Sequence, residues 1–217
     1  MTREAEIKTS MDRIYRHTRH VYDASRKYFL LGRDTLIQNL QAGENENICE
    51  IGCGTARNLL KLFQHYPNAD FYGIDASEEM LKTARKNLDK SVKGSKIKVS
   101  QGYAQSFAPD TLFGIEKFDK CIFSYSLSMI PPWKKAIDHA LHITKKGGEI
   151  HIVDFGQQDQ LPRLFKRFLF WFLALFHVHP EQELIRYLEH LQSRGHVELD
   201  LNHLYKGYAF LAVLKKI

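Results

Sequence analysis

The chain has 217 residues, of which 44% are hydrophobic and 26% are charged, so it is long and apolar enough for one domain with a substantial core and is not disordered. The formal net charge of +6 favours an anionic partner, either membrane lipid or nucleic acid. The N-terminus is polar, with no apolar stretch before Tyr28, so we expect no signal peptide.

The three cysteines cannot all pair with one another. Cys49 and Cys53 lie within one glycine-containing stretch, Cys121 lies in a later apolar run, and no histidine joins them at metal-ligand spacing. We therefore expect reduced core thiols in an intracellular protein and no metal site.

Apolar runs and helical periodicities alternate along most of the chain. Residues 11–40 predict one or two helices, broken near Gly32. Five strands are predicted, at residues 48–52, 70–75, 97–101, 118–124 and 149–154. The helices between them are predicted at 57–65, 78–89 and 134–144. Ser77 suits the N-cap of the second of these helices, and the basic residues and glycines at 145–148 are expected to end the third.

This alternation predicts a doubly wound parallel sheet with helices on both faces. The last segment differs, because apolar runs at 197–201 and 208–214 are too close together to enclose a crossover helix. They predict a terminal antiparallel hairpin. We expect one domain over residues 1–217, divided into an N-terminal helical cap (1–42), a cofactor-binding core (43–156), an apolar helical lid (157–192) and the hairpin (193–217).

The stretch from Asn47 to Arg57, NICEIGCGTAR, carries the main functional signal. A strand, a glycine turn and a helix place backbone N–H groups and the positive end of a helix beside a ligand. Asp75, at the end of the next predicted strand, is positioned to bind the hydroxyls of a ribose. A nucleoside cofactor is therefore expected. A dinucleotide is disfavoured because Arg57 replaces the third glycine of its fingerprint, and a turn without any ligand is the remaining alternative.

The run Glu50-Ile-Gly-Cys-Gly-Thr55 resembles the first motif of class I S-adenosylmethionine methyltransferases, and the predicted strand order is similar to their Rossmann-like sheet. The resemblance implies that Gly52 and Gly54 let the backbone approach the cofactor, that Asp75 binds its ribose and that Glu50 orients its methionine end. It also implies an adenine-edge loop at residues 102–104. The cofactor-binding candidates of the core are Glu50, Gly52, Gly54, Asp75, Ala76, Met80, Tyr103, Ala104 and Ser124.

The segment FLFWFLALF, residues 168–176, is apolar on all sides and flanked by basic residues. It is too short to span a bilayer, which needs roughly 20 residues. Its outward face must be covered, because each large apolar side chain left in water forfeits about 1.5–3 kcal/mol. The cover is the chain's own N-terminal helix, a partner subunit or a membrane interface. The flanking basic residues favour interfacial insertion, and a helix buried against the sheet is the alternative.

In open α/β sheets the ligand binds beyond the carboxyl ends of the strands. Methyl transfer depends mainly on aligning the acceptor with the methyl carbon and the sulfur, and an amine acceptor must also lose a proton. Tyr125 and Asp154 are candidate proton acceptors, as are a histidine and water. Aromatic rings can bind a methylated ammonium by cation–π attraction. Tyr15, Trp133, Phe155 and Trp171 are the candidate substrate-binding residues, while Tyr22 and Arg33 are candidates to close over the cofactor. Packing is the alternative role for the aromatic residues, and turn capping for Asp154.

Three segments, beginning at Tyr15, Phe123 and Val153, resemble the bacterial N-methyltransferase family of betaine-lipid synthesis. That resemblance implies successive methylation of diacylglyceryl-homoserine to its trimethylated form, by an enzyme located peripherally at the cytoplasmic face of an anionic membrane. The alternatives within the class are a phosphatidylethanolamine N-methyltransferase and a methyltransferase acting on carbon in a quinone precursor. A nucleic-acid methyltransferase is disfavoured because no Asn-Pro-Pro-Tyr-type motif is present, so no nucleic-acid partner is expected. A non-catalytic lipid-binding subunit and, last, a dehydrogenase complete the alternatives.

Overall fold

The computed structural model describes residues 30–91, 97–158, 167 and 183–217. Three predicted site residues, Tyr15, Tyr22 and Trp171, lie outside these residues, as do the apolar segment 168–176 and most of the predicted cap and lid. The division of the chain into these parts stays a prediction.

Seven strands form one mixed sheet in the order β3-β2-β1-β4-β5-β7-β6. The strands are β1 Asn47–Ile51, β2 Asp70–Asp75, β3 Ile97–Gln101, β4 Phe118–Ser124, β5 Thr144–Phe155, β6 Val197–Leu204 and β7 Ala209–Lys216. Strands β1 to β5 are parallel, and β7 pairs antiparallel with both β5 and β6. The predicted parallel sheet with a terminal hairpin is confirmed. The strand order reverses at β1, between β2 and β4, which is where such sheets bind their ligands.

Helices cover both faces of the sheet, as predicted. They are α1 Arg33–Asn39, α2 Arg57–His65, α3 Glu78–Asp89, α4 Pro109–Phe113, α5 Trp133–Ile143 and α6 Leu184–Ser193, with a 3-10 turn at Leu127–Met129. One buried cluster joins α1, α2 and α3 to the sheet through residues such as Leu36, Leu59 and Leu81. A second cluster joins α5 and α6 to the opposite face through residues such as Ile137 and Leu188.

Local signals explain the best-predicted boundaries. Helix α3 begins after Ser77, whose Oγ accepts a hydrogen bond from the Met80 N–H at 3.4 Å, as expected of an N-cap.

The three thiols are free and buried, and burial raises the pKa of Cys121 to about 12. They are therefore inert core groups under ordinary conditions. Among the residues that the structure describes, no helix is long and apolar enough to cross a bilayer.

The end of α5 differs from the sequence prediction. The helix stops at Ile143, and β5 starts at Thr144 instead of following Gly147 and Gly148. The extra residues are accommodated by a register shift between β4 and β5 and by the left-handed conformation of Gly147, at φ +75°. Basic residues followed by glycine occur at both helix ends and strand bulges, so the pattern alone does not distinguish the two.

Candidate functional site

The glycine turn after β1 is fixed by backbone geometry that requires glycine. Gly52 has φ +83°, and an added Cβ there would lie 2.6 Å from the Cβ of Ser126. The Gly52 and Cys53 N–H groups donate to the Ile74 carbonyl at 2.8 and 2.9 Å, and the Ser126 hydroxyl donates to the Ile51 carbonyl at 2.9 Å. The turn is therefore held between the ends of β2 and β4.

Helix α2 begins directly after a residue under backbone strain. Ala56 stands where a glycine is frequent in the class that the first motif resembles, and it adopts φ +63° in the left-handed region. Alanine pays a steric cost there that glycine does not. The substitution therefore changes the backbone energy of the turn as well as adding a methyl group.

Asp75 lies at the tip of β2 with both carboxylate oxygens oriented by the backbone. Its Oδ2 accepts from the Gly54 N–H at 2.8 Å, and its Oδ1 accepts from the Ser77 N–H at 2.9 Å. A carboxylate can accept about four hydrogen bonds, so the same group can fix the turn and bind the hydroxyls of a ligand.

Two clefts lie on either side of the glycine turn, and Gly52 and Gly54 line both. The first, which we call the Asp75 cleft, has a mainly apolar wall. It is lined by Gly52, Gly54, Ile74, Asp75, Ala76, Gly102, Tyr103, Ala104, Gln105, Tyr125, Ser126, Met129, Ile130, Pro131 and Pro132. The second, the Glu50 cleft, is lined by Leu30, Arg33, Glu50, Gly52, Cys53, Gly54, Thr55, Arg57, Asn58 and Ser124. The two glycines that line both clefts place them next to each other, beyond the end of β1.

The Glu50 cleft contains opposite charges on nearly buried side chains. Glu50 is 1% exposed and Arg33 is 9% exposed. Asn58 donates from its side-chain amide to Glu50 Oε1 at 2.7 Å, and Arg57 donates to Asn58 Oδ1 at 2.9 Å, so the Glu50 carboxylate is oriented through α2. A cation and an anion in one cleft match the carboxylate and ammonium of an amino-acid moiety.

Surface ion pairs attach α1 to α2 beside this cleft. Asp34 pairs with Lys61 at 2.9 Å and with Arg57 at 3.1 Å. The hydrogen bond from the Lys61 ammonium is the main reason that the pKa of Asp34 is lowered. Asp34 is exposed, and Arg57 and Lys61 are each more than a third exposed, so the pairs mainly set the position of α1 and add little stability.

The Ser124 hydroxyl is a buried polar group in the wall of the Glu50 cleft. Ser124 is 8% exposed, and its Oγ has no hydrogen-bond partner among the described residues. Buried hydroxyls are normally satisfied, so the Ser124 Oγ is available to a polar atom of a ligand in this cleft, and its predicted cofactor role stays a prediction. The charged pair, the unsatisfied hydroxyl, the glycine cradle and Asp75 together fit a nucleoside that carries an amino-acid tail.

Tyr125 and Asp154, the predicted proton acceptors, occupy different environments. The Tyr125 ring lines the Asp75 cleft, its hydroxyl donates to the Leu31 carbonyl at 2.5 Å, and burial raises its pKa well above the usual value. Asp154 is 1% exposed and lines neither cleft. Its Oδ1 accepts from the Phe155 N–H at 2.8 Å and its Oδ2 from the Ser128 N–H at 3.3 Å, so it fixes the 3-10 turn that precedes the apolar wall.

Asp154 should make stability depend on pH. Burial raises its folded-state pKa from 3.8 to about 6, so the folded protein binds this proton more tightly than the unfolded chain. Protonated Asp154 therefore adds to the free energy of unfolding. This added stability is fully present below about pH 4 and is lost as the pH rises through about 6, a change of about 3 kcal/mol. Denaturant unfolding of the wild type and of Asp154→Asn between pH 4 and 7 measures it. The wild type should lose this stability relative to the variant, and parallel profiles would contradict the prediction.

The predicted site residues within the described part of the chain either line one of the two clefts or are buried away from both. Ala76, Tyr103 and Ala104 line the Asp75 cleft, while Arg33, Glu50 and Ser124 line the Glu50 cleft. The buried side chains that line neither cleft are Met80 in α3, Trp133 beside Tyr187, and Phe155 between Tyr125 and Tyr208. The binding and catalytic roles of all these residues stay predictions.

The structure also adds lining residues that sequence reasoning missed: Thr55, Asn58, Gln105 and residues 129–132. Asn58 could have been predicted from the sequence, because it lies one helical turn after the glycine motif, where a side chain faces β1. The wall at 129–132 depends on the path of the chain after β4, which no local pattern fixes.

The sheet order and the paired clefts beyond β1 and β2 define the class I methyltransferase fold. The family model described as "Methyltransferase domain" matches residues 42–190, and the chain belongs to this family. It is a methyltransferase domain of the class that uses S-adenosylmethionine as its methyl donor.

Curated relatives share about three residues in ten with this chain over somewhat more than half of its length. Demethylmenaquinone methyltransferase of Desulfitobacterium hafniense (strain Y51) is 29% identical over 58% of this chain and 48% of its own length. Phosphatidylethanolamine N-methyltransferase of Cereibacter sphaeroides is 28% identical over 53% of each chain. The chain thus spans about half the length of the curated relatives it matches.

Solved structures extend the likeness of fold to nearly the whole chain. An O-methyltransferase family protein from Burkholderia thailandensis superimposes with a TM-score of 0.70 at 15% identity, covering 93% of this chain and 61% of that one. At this identity the comparison supports the fold alone.

Proposed function

We propose that this domain methylates the amine of a lipid head group, and specifically that it converts diacylglyceryl-homoserine to the trimethylated betaine lipid in three transfers. S-adenosylmethionine supplies an electrophilic methyl carbon when bound. The observation that carries the proposal is the pair of clefts that meet at Gly52 and Gly54, with opposite charges in one and Asp75 in the other.

The chain's own residues account for cofactor binding. Arg33 binds the carboxylate of the amino-acid tail and Glu50 binds its ammonium, with Asn58 holding Glu50 in place. Asp75 accepts hydrogen bonds from the ribose hydroxyls. The apolar wall of the Asp75 cleft, which includes Ala76 and Met129, packs against the adenine.

Catalysis in this arrangement comes from orientation and from the exclusion of water. Gly52 and Gly54 line both clefts, and the residues that follow β4 add neutral side chains, Ser124 to the Glu50 cleft and Tyr125 and Ser126 to the Asp75 cleft. Tyr125 is held as a neutral phenol by its raised pKa, and Asp154 lies behind the wall, so we assign neither a direct proton transfer. The amine enters deprotonated, and alignment with the methyl carbon supplies most of the acceleration.

The choice of a lipid amine rests on three observations. The chain is similar to a phosphatidylethanolamine N-methyltransferase, its net charge is +6, and its apolar segment 168–176 has basic flanks. Such a combination suits a protein bound peripherally to an anionic membrane surface. A second candidate, methylation of carbon in a quinone precursor, is favoured by the similarity to demethylmenaquinone methyltransferase.

An acceptor panel distinguishes these functions. The purified chain and labelled S-adenosylmethionine are incubated with vesicles that contain diacylglyceryl-homoserine, phosphatidylethanolamine or demethylmenaquinol. We expect products that gain one, two and three methyl groups on the homoserine lipid, with faster transfer in anionic than in neutral vesicles. Transfer to phosphatidylethanolamine alone would correct the head group, label in the quinol would select the second candidate, and cofactor binding without transfer to any of the three would contradict both.

A further inference from the structure

We propose that the Tyr125 hydroxyl is a latch that holds residues 30–33 over the Glu50 cleft, so that Tyr125 positions the cofactor site and does not accept the substrate's proton. The inference deepens the proposed function, because it assigns a role within the same site. Its basis is a contact between two parts of the chain that lie 94 residues apart, where the Tyr125 hydroxyl donates to the Leu31 carbonyl at 2.5 Å.

The latch connects the two clefts physically. Tyr125 lines the Asp75 cleft, whereas Leu30 and Arg33, on either side of Leu31 in sequence, line the Glu50 cleft. Arg33 Nε donates to the Leu30 carbonyl at 3.2 Å, which folds the guanidinium back onto the segment that Tyr125 holds. Releasing Leu31 would therefore loosen the one cation that we assign to the carboxylate of the cofactor.

The segment turns at Gly32, which packs closely against the sheet. Gly32 has φ +86°, and an added Cβ would lie 2.9 Å from Leu204 Cδ1 and 3.2 Å from Val153 Cγ2. The close approach places the Leu31 carbonyl within reach of the phenol. Backbone conformation therefore favours glycine here, while the nearby atoms are side-chain methyl groups that can shift to admit a Cβ.

The backbone of Tyr125 is constrained in a way that aims its ring. Tyr125 adopts φ +55°, a conformation that is unfavourable for a large L-residue and that persists only where the surroundings enforce it. Its N–H donates to the Val153 carbonyl at 2.8 Å, and its ring meets Phe155 edge-on at a centroid distance of 4.7 Å. Backbone strain at a cleft residue is explained if the direction of the phenol serves the site.

The latch and a catalytic base predict different kinetics for Tyr125→Phe, which removes only the hydroxyl. Loss of one hydrogen bond should raise the dissociation constant and KM for S-adenosylmethionine by about 3–10-fold. At saturating cofactor, kcat and its pH profile should be unchanged. A base or proton relay would instead lower kcat by about 10²–10⁴-fold and alter the pH profile.

Tyr66→Phe is the matched control. The Tyr66 hydroxyl also donates to backbone carbonyls at the end of α1, those of Ile37 at 2.9 Å and Gln38 at 3.1 Å, but Tyr66 lines neither cleft. Its loss should affect the attachment of α1 and leave the dissociation constant for the cofactor unchanged.

Hydrogen exchange tests the latch even without the cofactor. In the free protein, amides of residues 30–36 should exchange faster in Tyr125→Phe than in the wild type, and more so than in Tyr66→Phe. Equal exchange in the two variants, or an unchanged cofactor dissociation constant in Tyr125→Phe, would overturn the latch. A wild type that binds no S-adenosylmethionine would overturn the proposed function instead, and the exchange comparison would still decide the latch.

Discussion

Replacing Gly52 by alanine should abolish detectable binding of S-adenosylmethionine and lower the free energy of unfolding by more than about 2 kcal/mol. The left-handed conformation of Gly52, at φ +83°, costs about 1–2 kcal/mol for an L-residue. In addition, the new Cβ would overlap the Cβ of Ser126 at 2.6 Å, and relieving such overpacking costs about 1–3 kcal/mol. The turn that separates the two clefts must move in response.

Gly114→Ala is the control for this effect. Gly114 has a similar φ of +73°, but no atom of the described residues outside its own chain neighbours lies within 4 Å of the position that its Cβ would take. It should therefore show the conformational cost alone, with cofactor affinity preserved. Denaturant unfolding and calorimetric titration of both variants measure the difference. If Gly52→Ala bound the cofactor as the wild type does, the assignment of the turn to cofactor binding would be wrong.

Asp75→Ala should weaken the binding of S-adenosylmethionine by about 100-fold or more. Hydrogen bonds to a charged group contribute about 1.5–3 kcal/mol each, and the ribose offers two hydroxyls. The same change also removes the acceptor for the Gly54 and Ser77 N–H groups. The free energy of unfolding should therefore fall as well, by less than the free energy of cofactor binding. Isothermal titration measures the affinity, and circular dichroism verifies that the fold is retained.

Asp70→Ala is the matched control, because Asp70 lies at the opposite end of the same strand and is exposed. Its affinity for the cofactor should equal that of the wild type. Asp75→Asn should be intermediate, since the amide keeps one acceptor oxygen but opposes an NH₂ group to one of the two backbone donors. An affinity of Asp75→Ala within about threefold of the wild type would contradict the ribose assignment, since one charged hydrogen bond alone is worth more.

Much of the fold follows from local signals. Strand β2 and helices α2 and α3 have the bounds that alternation, helical spacing and the Ser77 cap predict. Strand β5 does not, because its first residues pair with β4 through an irregular register that depends on a neighbour distant in sequence. Helix α4 has five residues, too few for a periodic pattern to be recognised.

Some parts of the candidate site can also be predicted from the sequence, and others cannot. The first motif and Asp75 can be located from sequence because the chemistry requires glycine and a carboxylate at the ends of adjacent strands. The direction of side chains near those ends cannot be predicted from sequence. The structure buries Trp133 and Phe155, and their role in substrate binding stays a prediction. The contact between Tyr125 and Leu31 is also invisible locally, since it depends on how the segment before α1 crosses the sheet.

A crystal structure of the protein with S-adenosylmethionine at saturating concentration would decide whether the paired clefts form the cofactor site. We predict that the ribose hydroxyls bind Asp75, that the amino-acid tail lies between Arg33 and Glu50, and that the sulfonium lies beside the Gly52–Gly54 turn. Clefts that remain empty under these conditions, or a cofactor bound elsewhere on the chain, would contradict the proposed site and the methyl transfer built on it.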